Sequence, residues 1–263
     1  MSVIALSASD LALASSLVVI DAAVSIGLKL QLHRQLAWAA VRMVVQLVIV
    51  GFLLRFVFTL NNPIATLLIV LVMAAIAARE VAARPARRFR GLGGLAISAP
   101  SVLLATLVTA GLALSTAIRP HPWFDPRYAI PLAGIILGSV LNAGSITLDS
   151  LLGGVQRERP AIEAQLALGV TFRESTAPLL RDSVRRGLLP VINQMSAAGL
   201  ITLPGIMTGQ IIAGMDPVEA VKYQILLMFL LSGASGVAAL SIAYLALARL
   251  TDGRQRLRLD RLN

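Results

Sequence analysis

Long apolar stretches recur along the chain, and short polar or basic segments separate them. A helix needs about 20 apolar residues to cross a hydrocarbon core of about 30 Å, and most of these stretches approach that length. We count seven, namely Leu11 to Leu30, Ala37 to Phe58, Pro63 to Ala78, Leu95 to Ile118, Tyr128 to Leu148, Leu188 to Gly214 and Gln224 to Leu247. A transmembrane barrel would instead need stretches of about ten residues with alternating polarity, which the sequence lacks. The pattern predicts an all-α, polytopic integral membrane protein with about seven transmembrane helices.

The sixth stretch, Leu188 to Gly214, differs from the others because Pro204 and Gly205 interrupt it. Irregular backbone at membrane depth is tolerated where it is buried in protein or lines a wet cavity. The polar residues Asn193 and Gln194 of this stretch are therefore candidates for a substrate path. The alternative is that its polar and small residues join helices through packing contacts, and both uses draw on the same residue types.

Composition and charge support the membrane assignment. Hydrophobic residues make up 57% of the chain, charged residues make up 14%, and the mean hydropathy is +0.82. If the N-terminus is outside, 19 of the 23 Lys and Arg residues fall on the cytoplasmic side, as the positive-inside rule prefers. The exceptions are Arg55, Arg119, Arg127 and Lys222. We therefore predict a multi-pass protein of the cell membrane with a cytoplasmic C-terminus. The net charge of +10 does not indicate a nucleic-acid partner, because the positions of the basic residues are explained by the lipid bilayer.

Few side chains offer chemistry within the apolar stretches. The chain has no cysteine, which excludes disulfides and thiolate metal sites, and His33 and His121 are far apart in sequence. An ionisable group within a span is costly, so Asp21 is either a functional group or the partner of an arginine such as Arg42. Asp149, near the end of its stretch, suits an interfacial charge. No nucleophile, base and orienting group have a spacing that suggests an enzyme.

The most polar helix-forming segment covers about residues 151 to 187, between the fifth and sixth apolar stretches. Ala161 to Leu168 contains good helix formers, and Gly169 is a natural stop. Thr171 and Glu174 have the spacing of a capping box, which predicts the start of a second helix.

Pro178 disturbs this second helix, because a proline inside a helix removes a hydrogen bond. The sequence predicts a kink there or a later helix start near Ser175 or Thr176. An amphipathic segment of this kind lies along the membrane surface or inserts into a groove of a partner. The alternative is a loop with solvated charges. We treat residues 1 to 263 as a single permease domain that contains this segment.

Several stretches resemble a known family. EAQLALG, residues 163 to 169, resembles the E-A-A-x-x-x-G core of the coupling helix of ABC-transporter permeases, with Gln165 in place of an alanine. LRDSVRRGLLPVINQ, residues 180 to 194, and LPGIMTGQIIAGMDPVEAVKYQI, residues 203 to 225, resemble signatures of the FetB/YbbM family. Members of that family are iron-export permeases related to the plant aluminium-resistance permease. AVRMVVQLVIVGF, residues 40 to 52, extends the resemblance over most of the chain.

The resemblance implies a permease that works with a separate ABC ATPase subunit and moves iron or a related metal outward. Because ABC transporters place two membrane halves around their path, it also implies a homodimer or a close heteromeric pair. We assign ATPase coupling to Glu163, Ala164, Gly169, Arg181 and Asp182, and the substrate path to Asn142, Asn193, Gln194, Met207 and Gln210. The sequence has no G-x-x-x-x-G-K-[ST] phosphate loop. The partner is therefore expected to use the ATP, and this chain is expected to bind no cofactor and not to be an enzyme.

Other functions remain open from the residues alone. A path rich in Asn, Gln, Ser and Thr also suits an ABC permease for an organic or nucleotide-sugar-like substrate. An ion-gradient-driven secondary transporter would use Asp21 and Asp149 as proton or sodium sites. The charged patch that includes Arg181 and Asp182 could equally hold anionic lipid headgroups or set the orientation of a helix.

Asp216 and Glu219 follow the sixth stretch and face outside in this topology. Together with Met207, Met215 and Gln210 they are candidates for an exit site. Carboxylate and amide oxygens suit hard cations, whereas thioethers suit softer ones. The alternative is a helix start, with Asp216 as the cap and Pro217 at the first helical position.

Overall fold

A computed structural model describes residues 7–60, 62–118, 122 and 125–263. Helices account for most of these residues, which confirms the all-α prediction. The α-helices are α1 (Ala8–Gly27), α2 (His33–Leu60), α3 (Pro63–Ala83), α4 (Gly93–Leu112), α5 (Pro126–Arg157), α6 (Arg159–Ala167), α7 (Phe172–Ala197), α8 (Gly205–Ile212) and α9 (Pro217–Arg249). A π-helical turn, Ala113–Ile118, follows α4, and a 3-10 turn, Leu259–Arg261, follows α9. Arg119 and His121, singled out above, lie outside the described residues.

Among the described residues, six helices are long and apolar enough to cross a membrane. They are α1 to α5 and α9, which match six of the seven predicted stretches. Many of their large apolar side chains are exposed, including Leu104, Leu107 and Phe229. A soluble protein seldom exposes so continuous an apolar surface, whereas a membrane-spanning protein presents it to lipid. The fold is that of a multi-pass membrane protein.

The sixth predicted stretch is the exception, because it is not a separate helix. Its first part is the end of α7, and its last part is the short helix α8. Between them the chain turns at residues 198–204, where Gly199 takes a φ of +83° and its N–H donates to the Thr202 carbonyl oxygen at 2.9 Å. The predicted interruption is present, but α7 already stops at Ala197, several residues before Pro204.

The chain divides into two compact units, Met1–Asn61 and Asn62–Asn263. In the first unit, α1 packs against α2, and the buried Ser25 hydroxyl accepts a hydrogen bond from the Leu32 N–H at 3.0 Å. This bond holds the short connection between the two helices. That residues 1 to 263 act as one permease domain stays a prediction.

In the second unit, α5 lies against α3, α4, α7 and α9 and forms the centre of the core. On α9, Ala234, Ala238, Ile242 and Ala246 are fully buried at intervals of four residues. The three alanines of this stripe let neighbouring helices approach closely. At Gly144 of α5, an added Cβ would lie 2.5 Å from Ile242 Cδ1. The Ile242 side chain therefore occupies the space that a Cβ at position 144 would need.

Candidate functional site

The helix α6 follows α5 almost without a break, since only Glu158 separates them. The Ile162 N–H donates to the Glu158 carbonyl oxygen at 2.9 Å, and Pro160 lies in the first turn, where its missing N–H costs nothing. The Ile162 side chain is 2% exposed and anchors α6 to the core. The position of α6 is therefore tied to the end of α5.

Gly169 ends α6, as the sequence predicts. Its φ is +87°, its N–H donates to the Leu166 carbonyl oxygen at 3.1 Å, and the Val170 N–H donates to the Gln165 carbonyl oxygen at 3.1 Å. These two bonds define a Schellman motif. An added Cβ at Gly169 would meet no atom within 4 Å, so the backbone conformation is the reason for glycine.

The capping box at the start of α7 is confirmed. The Glu174 N–H donates to the Thr171 Oγ1 at 3.3 Å, and the Thr171 N–H donates to the Glu174 Oε2 at 3.1 Å. The Thr171 hydroxyl also donates to this carboxylate at 2.7 Å, and these bonds lower the pKa of Glu174. Because the box sets the helix start at Phe172, the predicted later start near Ser175 or Thr176 is wrong. Pro178 lies inside α7.

The proposed coupling residues of α6 lie on its exposed side. Glu163 forms an ion pair with Arg159 at 2.8 Å, and its side chain remains 47% exposed. Ala164 is also exposed, and Leu168 at the tip of the turn is 84% exposed. Glu163 and Gly169 line a cavity of about 760 Å³, here named the turn cavity. The structure therefore presents a short helix, closed by the Schellman turn, whose outer face is open.

The other wall of the turn cavity was missed by sequence reasoning. It is formed by Gly253, Arg254, Gln255, Arg256 and Leu257, which belong to the segment that follows α9. We name residues 250–263 the tail segment. Its only sequence signal is the recurrence of leucines among charged residues in RLRLDRLN, residues 256 to 263. Two of its leucines, Leu250 and Leu262, are buried.

Arg181 and Asp182 have different surroundings, although they are adjacent in sequence. Arg181 lines a second cavity of about 720 Å³ between α7, α9 and the tail segment, here named the α7–α9 cavity. Asp182 forms an ion pair with Arg186 at 2.8 Å, one turn along α7, and both side chains are about half exposed. Asp182 is not among the residues that line this cavity.

A polar cavity of about 210 Å³, here named the inner cavity, lies between α5, α7 and α9. Its lining residues are Ile135, Ser139, Asn142, Ala143, Gly187, Pro190, Val191, Gln194, Leu231 and Ser235. Asn142 and Gln194, both assigned to the substrate path, thus meet in one cavity. The hydroxyls of Ser139 and Ser235 lie 2.7 Å apart and share a hydrogen bond. Asn193 is exposed and does not line the cavity.

The approach of α7 to α5 beside the inner cavity depends on Gly187. A Cβ at this position would overlap the Thr147 hydroxyl and lie 2.8 Å from the Ala143 carbonyl oxygen. Three residues further along α7, Pro190 has no N–H to donate to the Arg186 carbonyl oxygen. The close approach at Gly187 and the missing hydrogen bond at Pro190 therefore both occur where α7 lines the inner cavity.

Met207 and Gln210 lie apart from the inner cavity, on α8. Met207 lines an apolar cavity of about 510 Å³ together with Met195 and Met228. At the start of α9, the Asp216 Oδ1 accepts hydrogen bonds from the N–H groups of Val218 at 2.9 Å and Glu219 at 3.2 Å. Asp216 is therefore a helix cap, and Pro217 occupies the first turn.

Two further carboxylates, those of Asp149 and Glu219, each have a partner within the chain. The Asp149 Oδ1 accepts a hydrogen bond from the Ala86 N–H at 2.8 Å, which ties α5 to the connection between α3 and α4. Glu219 forms an ion pair with Lys222 at 2.6 Å. Across the part of the chain that the structure describes, no three His, Cys, Asp or Glu side chains are grouped closely enough to hold a metal ion.

These features define a helical, multi-pass membrane protein with an exposed helix and turn, α6 and Gly169, at the end of α5. The chain belongs to the uncharacterised protein family UPF0014, whose pattern matches residues 8–251. It is 34% identical over 249 residues to the Escherichia coli protein named as a probable iron export permease, FetB, covering 94% of this chain and 93% of that protein.

Two plant relatives also match most of the chain. The rice membrane protein STAR2 is 38% identical, over 88% of this chain and 79% of its own. The Arabidopsis thaliana protein ALUMINUM SENSITIVE 3 is 33% identical, over 88% of this chain and 84% of its own. No solved structure matches the fold of this chain.

Proposed function

We propose that this chain is the permease subunit of an ABC transporter that exports iron or another metal with the energy supplied by a separate ATPase subunit. The observation that carries the proposal is the exposed α6, which continues directly from α5 and ends in the Schellman turn at Gly169. The relative named as a probable iron export permease supports the choice of metal and direction.

The coupling mechanism follows from the connection between α5 and α6. A partner that grips the exposed face of α6, around Glu163 and Ala164, moves a short rigid helix. Because only Glu158 separates α6 from α5, this displacement passes into α5. Since α5 lines the inner cavity through Asn142, the partner's nucleotide state changes the access to that cavity.

The partner supplies ATP hydrolysis, since the chain contains no phosphate-binding loop. We place α6 on the cytoplasmic side, with the N-terminus outside, because 19 of the 23 basic residues then lie inside. ATP is available on that side of the cell membrane. The permease itself then carries out transport and no bond-making step.

The substrate path forms between two copies of the chain. On the second half of α7, Asn193 and Gln194 are exposed beside the exposed apolar side chains of Leu189 and Ile192. Exposing polar amides to lipid costs free energy, and a second copy packed on this face would shield the two amides from the lipid. The metal is the substrate in this proposal, and amide oxygens along the path suit a hard cation.

The test is ATP hydrolysis by the permease co-purified with an ABC ATPase encoded beside it, reconstituted in lipid with and without Fe(II). We expect Fe(II) to stimulate hydrolysis, and we expect Glu163→Lys and Gly169→Pro to lose the ATPase while still inserting in the membrane. Glu219→Lys is the matched control, because Glu219 is also an exposed, ion-paired glutamate but lies at the start of α9. Normal stimulation in Glu163→Lys would refute the coupling assignment.

A second substrate class is favoured by the chemistry of the inner cavity. Its polar lining consists of amides and hydroxyls, from residues such as Asn142, Gln194 and Ser139, and includes no carboxylate, imidazole or thioether. Such groups bind the hydroxyls of an organic or nucleotide-sugar-like molecule. Stimulation of hydrolysis by a sugar nucleotide and not by metals would favour this alternative and leave the coupling proposal intact.

A further inference from the structure

The tail segment is folded against two other parts of the chain. The Asn263 N–H donates to the Arg88 carbonyl oxygen at 2.8 Å, and the Arg90 N–H donates to the Arg261 carbonyl oxygen at 2.9 Å. Within the segment, the Asp252 carboxylate accepts hydrogen bonds from the N–H groups of Arg254 and Arg256, both at 3.0 Å. The segment therefore has one defined path across the α6 end of the helices.

Gln255 connects the tail segment to the turn after α6. Its Oε1 accepts a hydrogen bond from the Phe172 N–H at 2.8 Å, which is one of the donors at the start of α7 that have no partner within the helix. Gln255 itself has a φ of +56°, a conformation that side chains seldom adopt. A bond across 83 residues thus fixes the position of the tail segment against the turn.

The tail segment also sets the charge of the turn cavity. Arg256 is held by Asp252 at 2.9 Å. Arg254 is exposed on the same wall, and no partner of its guanidinium is found within the described residues. Facing them, Leu166 and Val170 offer apolar surface. The cavity therefore suits an insertion that combines an apolar side chain with a carboxylate, since guanidinium groups bind carboxylates well.

We propose that the tail segment is a second element of the ATPase docking surface: Gln255 braces the turn, and Arg254 binds a carboxylate of the ATPase subunit. This inference rests on the proposed function, since it takes the ATPase as the partner. The ATPase fits better than a lipid headgroup because the turn cavity pairs its arginine with apolar side chains and with the proposed coupling residue Glu163.

The experiment measures binding of the same ATPase to the full-length permease in lipid nanodiscs without anionic lipid. Arg254→Glu is expected to weaken the complex about tenfold or more. Arg127→Glu is the matched control, because Arg127 is also exposed but lies at the start of α5, and α5 extends about 48 Å to α6 at 1.5 Å per residue. It is expected to bind normally.

Gln255→Gly tests separately the hydrogen bond that Gln255 accepts from the Phe172 N–H. Glycine adopts a positive φ readily, so this change removes the side-chain bond without straining the backbone. We expect ATPase binding to weaken several-fold and amide exchange at Phe172 to accelerate. If Arg254→Glu and Gln255→Gly bind the ATPase normally while Glu163→Lys does not, the inference is overturned and the proposed function stands.

Two further outcomes are decisive. If the unmodified permease binds no ATPase, both proposals fail. If Arg254→Glu reduces binding only when the nanodiscs contain anionic lipid, the arginine binds headgroups, and the inference about the ATPase is overturned.

Discussion

At the scale of single residues, two glycines are required for different physical reasons. Gly169 has open space around it but a φ of +87°, so its requirement is conformational. Gly187 lies within a regular helix but has Thr147 and Ala143 against it, so its requirement is steric. The two positions should therefore respond differently to the same substitution.

Gly169→Ala is expected to weaken the turn by about 1 kcal/mol, because alanine pays for the left-handed conformation that glycine adopts freely. The Val170 amide loses protection when its bond to the Gln165 carbonyl oxygen is strained. Hydrogen exchange at Val170 should accelerate about fivefold, which corresponds to that energy.

Gly169→Asn provides the graded comparison, since asparagine tolerates the left-handed region better than alanine. Gly153→Ala in α5 is the control, because its Cβ would meet no atom within 4 Å and the helix favours alanine. Equal exchange at Val170 in Gly169→Ala and the unmodified protein would contradict the conformational argument.

Gly187→Ala is expected to destabilise the protein by about 1–3 kcal/mol, the usual cost of overpacking a well-filled contact. The added methyl group would push α7 away from α5 beside the inner cavity. Thermal unfolding in detergent measures the effect. Gly209→Ala in α8 should leave the unfolding temperature nearly unchanged, since nothing lies within 4 Å of that position. Equal temperatures for both variants would count against the close α5–α7 contact.

At the scale of elements, the tail segment depends on Asp252. Hydrogen bonds from the Arg256 N–H and from its side chain, together with the Arg254 N–H, lower the pKa of this carboxyl group to about 2. Because the pKa is lowered in the folded protein, the carboxylate stabilises the fold above its ordinary pKa of 3.8 and loses that contribution as the pH falls towards 2. At neutral pH the contribution is fully present.

Asp252→Ala is accordingly expected to loosen the tail segment at pH 7 while the transmembrane helices stay folded. Amide exchange at Arg254 and Arg256 should accelerate several-fold, because both N–H groups lose their acceptor. Asp182→Ala, which removes only a surface ion pair on α7, is the control and should leave these amides unchanged. Unchanged exchange in Asp252→Ala would mean that other contacts hold the segment.

Two local sequence signals in α7 favour different structures. Pro178 alone favours a break, yet the capping box of Thr171 and Glu174 starts the helix six residues earlier, at Phe172. Phe172 and Leu179 are buried on one face of this continuous helix. The buried face and the cap together outweigh one lost hydrogen bond, and the chain remains helical through Pro178.

At the scale of the whole molecule, the number of membrane crossings depends on the sixth apolar stretch. If α7 and α8 together cross the membrane, Leu168 and Met215 lie on opposite sides. If they do not, both residues lie on the same side, and six helices span the membrane. The distribution of basic residues favours the crossing.

Single cysteines test this directly, because the chain has none of its own. In intact cells, an impermeant maleimide should label Ser9→Cys and Met215→Cys but should label Leu168→Cys only after the membrane is opened. All three positions are exposed, so differences in labelling report the side of the membrane. Labelling of Met215→Cys only after opening would contradict the crossing at the sixth stretch.

The sequence by itself determined what depends on neighbouring residues or on solvent. Apolar length predicted the helical membrane class, and the cap at Asp216, the box at Thr171 and the stop at Gly169 were all predicted where they occur. Each of these signals is complete within about four residues, because a helix end satisfies its free backbone groups locally.

Only the tertiary structure decided which distant residues meet. Asn142 and Gln194 line one cavity because α5 and α7 pack closely at Gly187, and the Phe172 N–H finds Gln255 across 83 residues. No local pattern encodes either meeting, since each depends on how helices pack and on where the tail segment folds back. The sequence did not predict the tail segment for this reason. The partners that fix its position lie far away in sequence, on α7 and in the connection between α3 and α4.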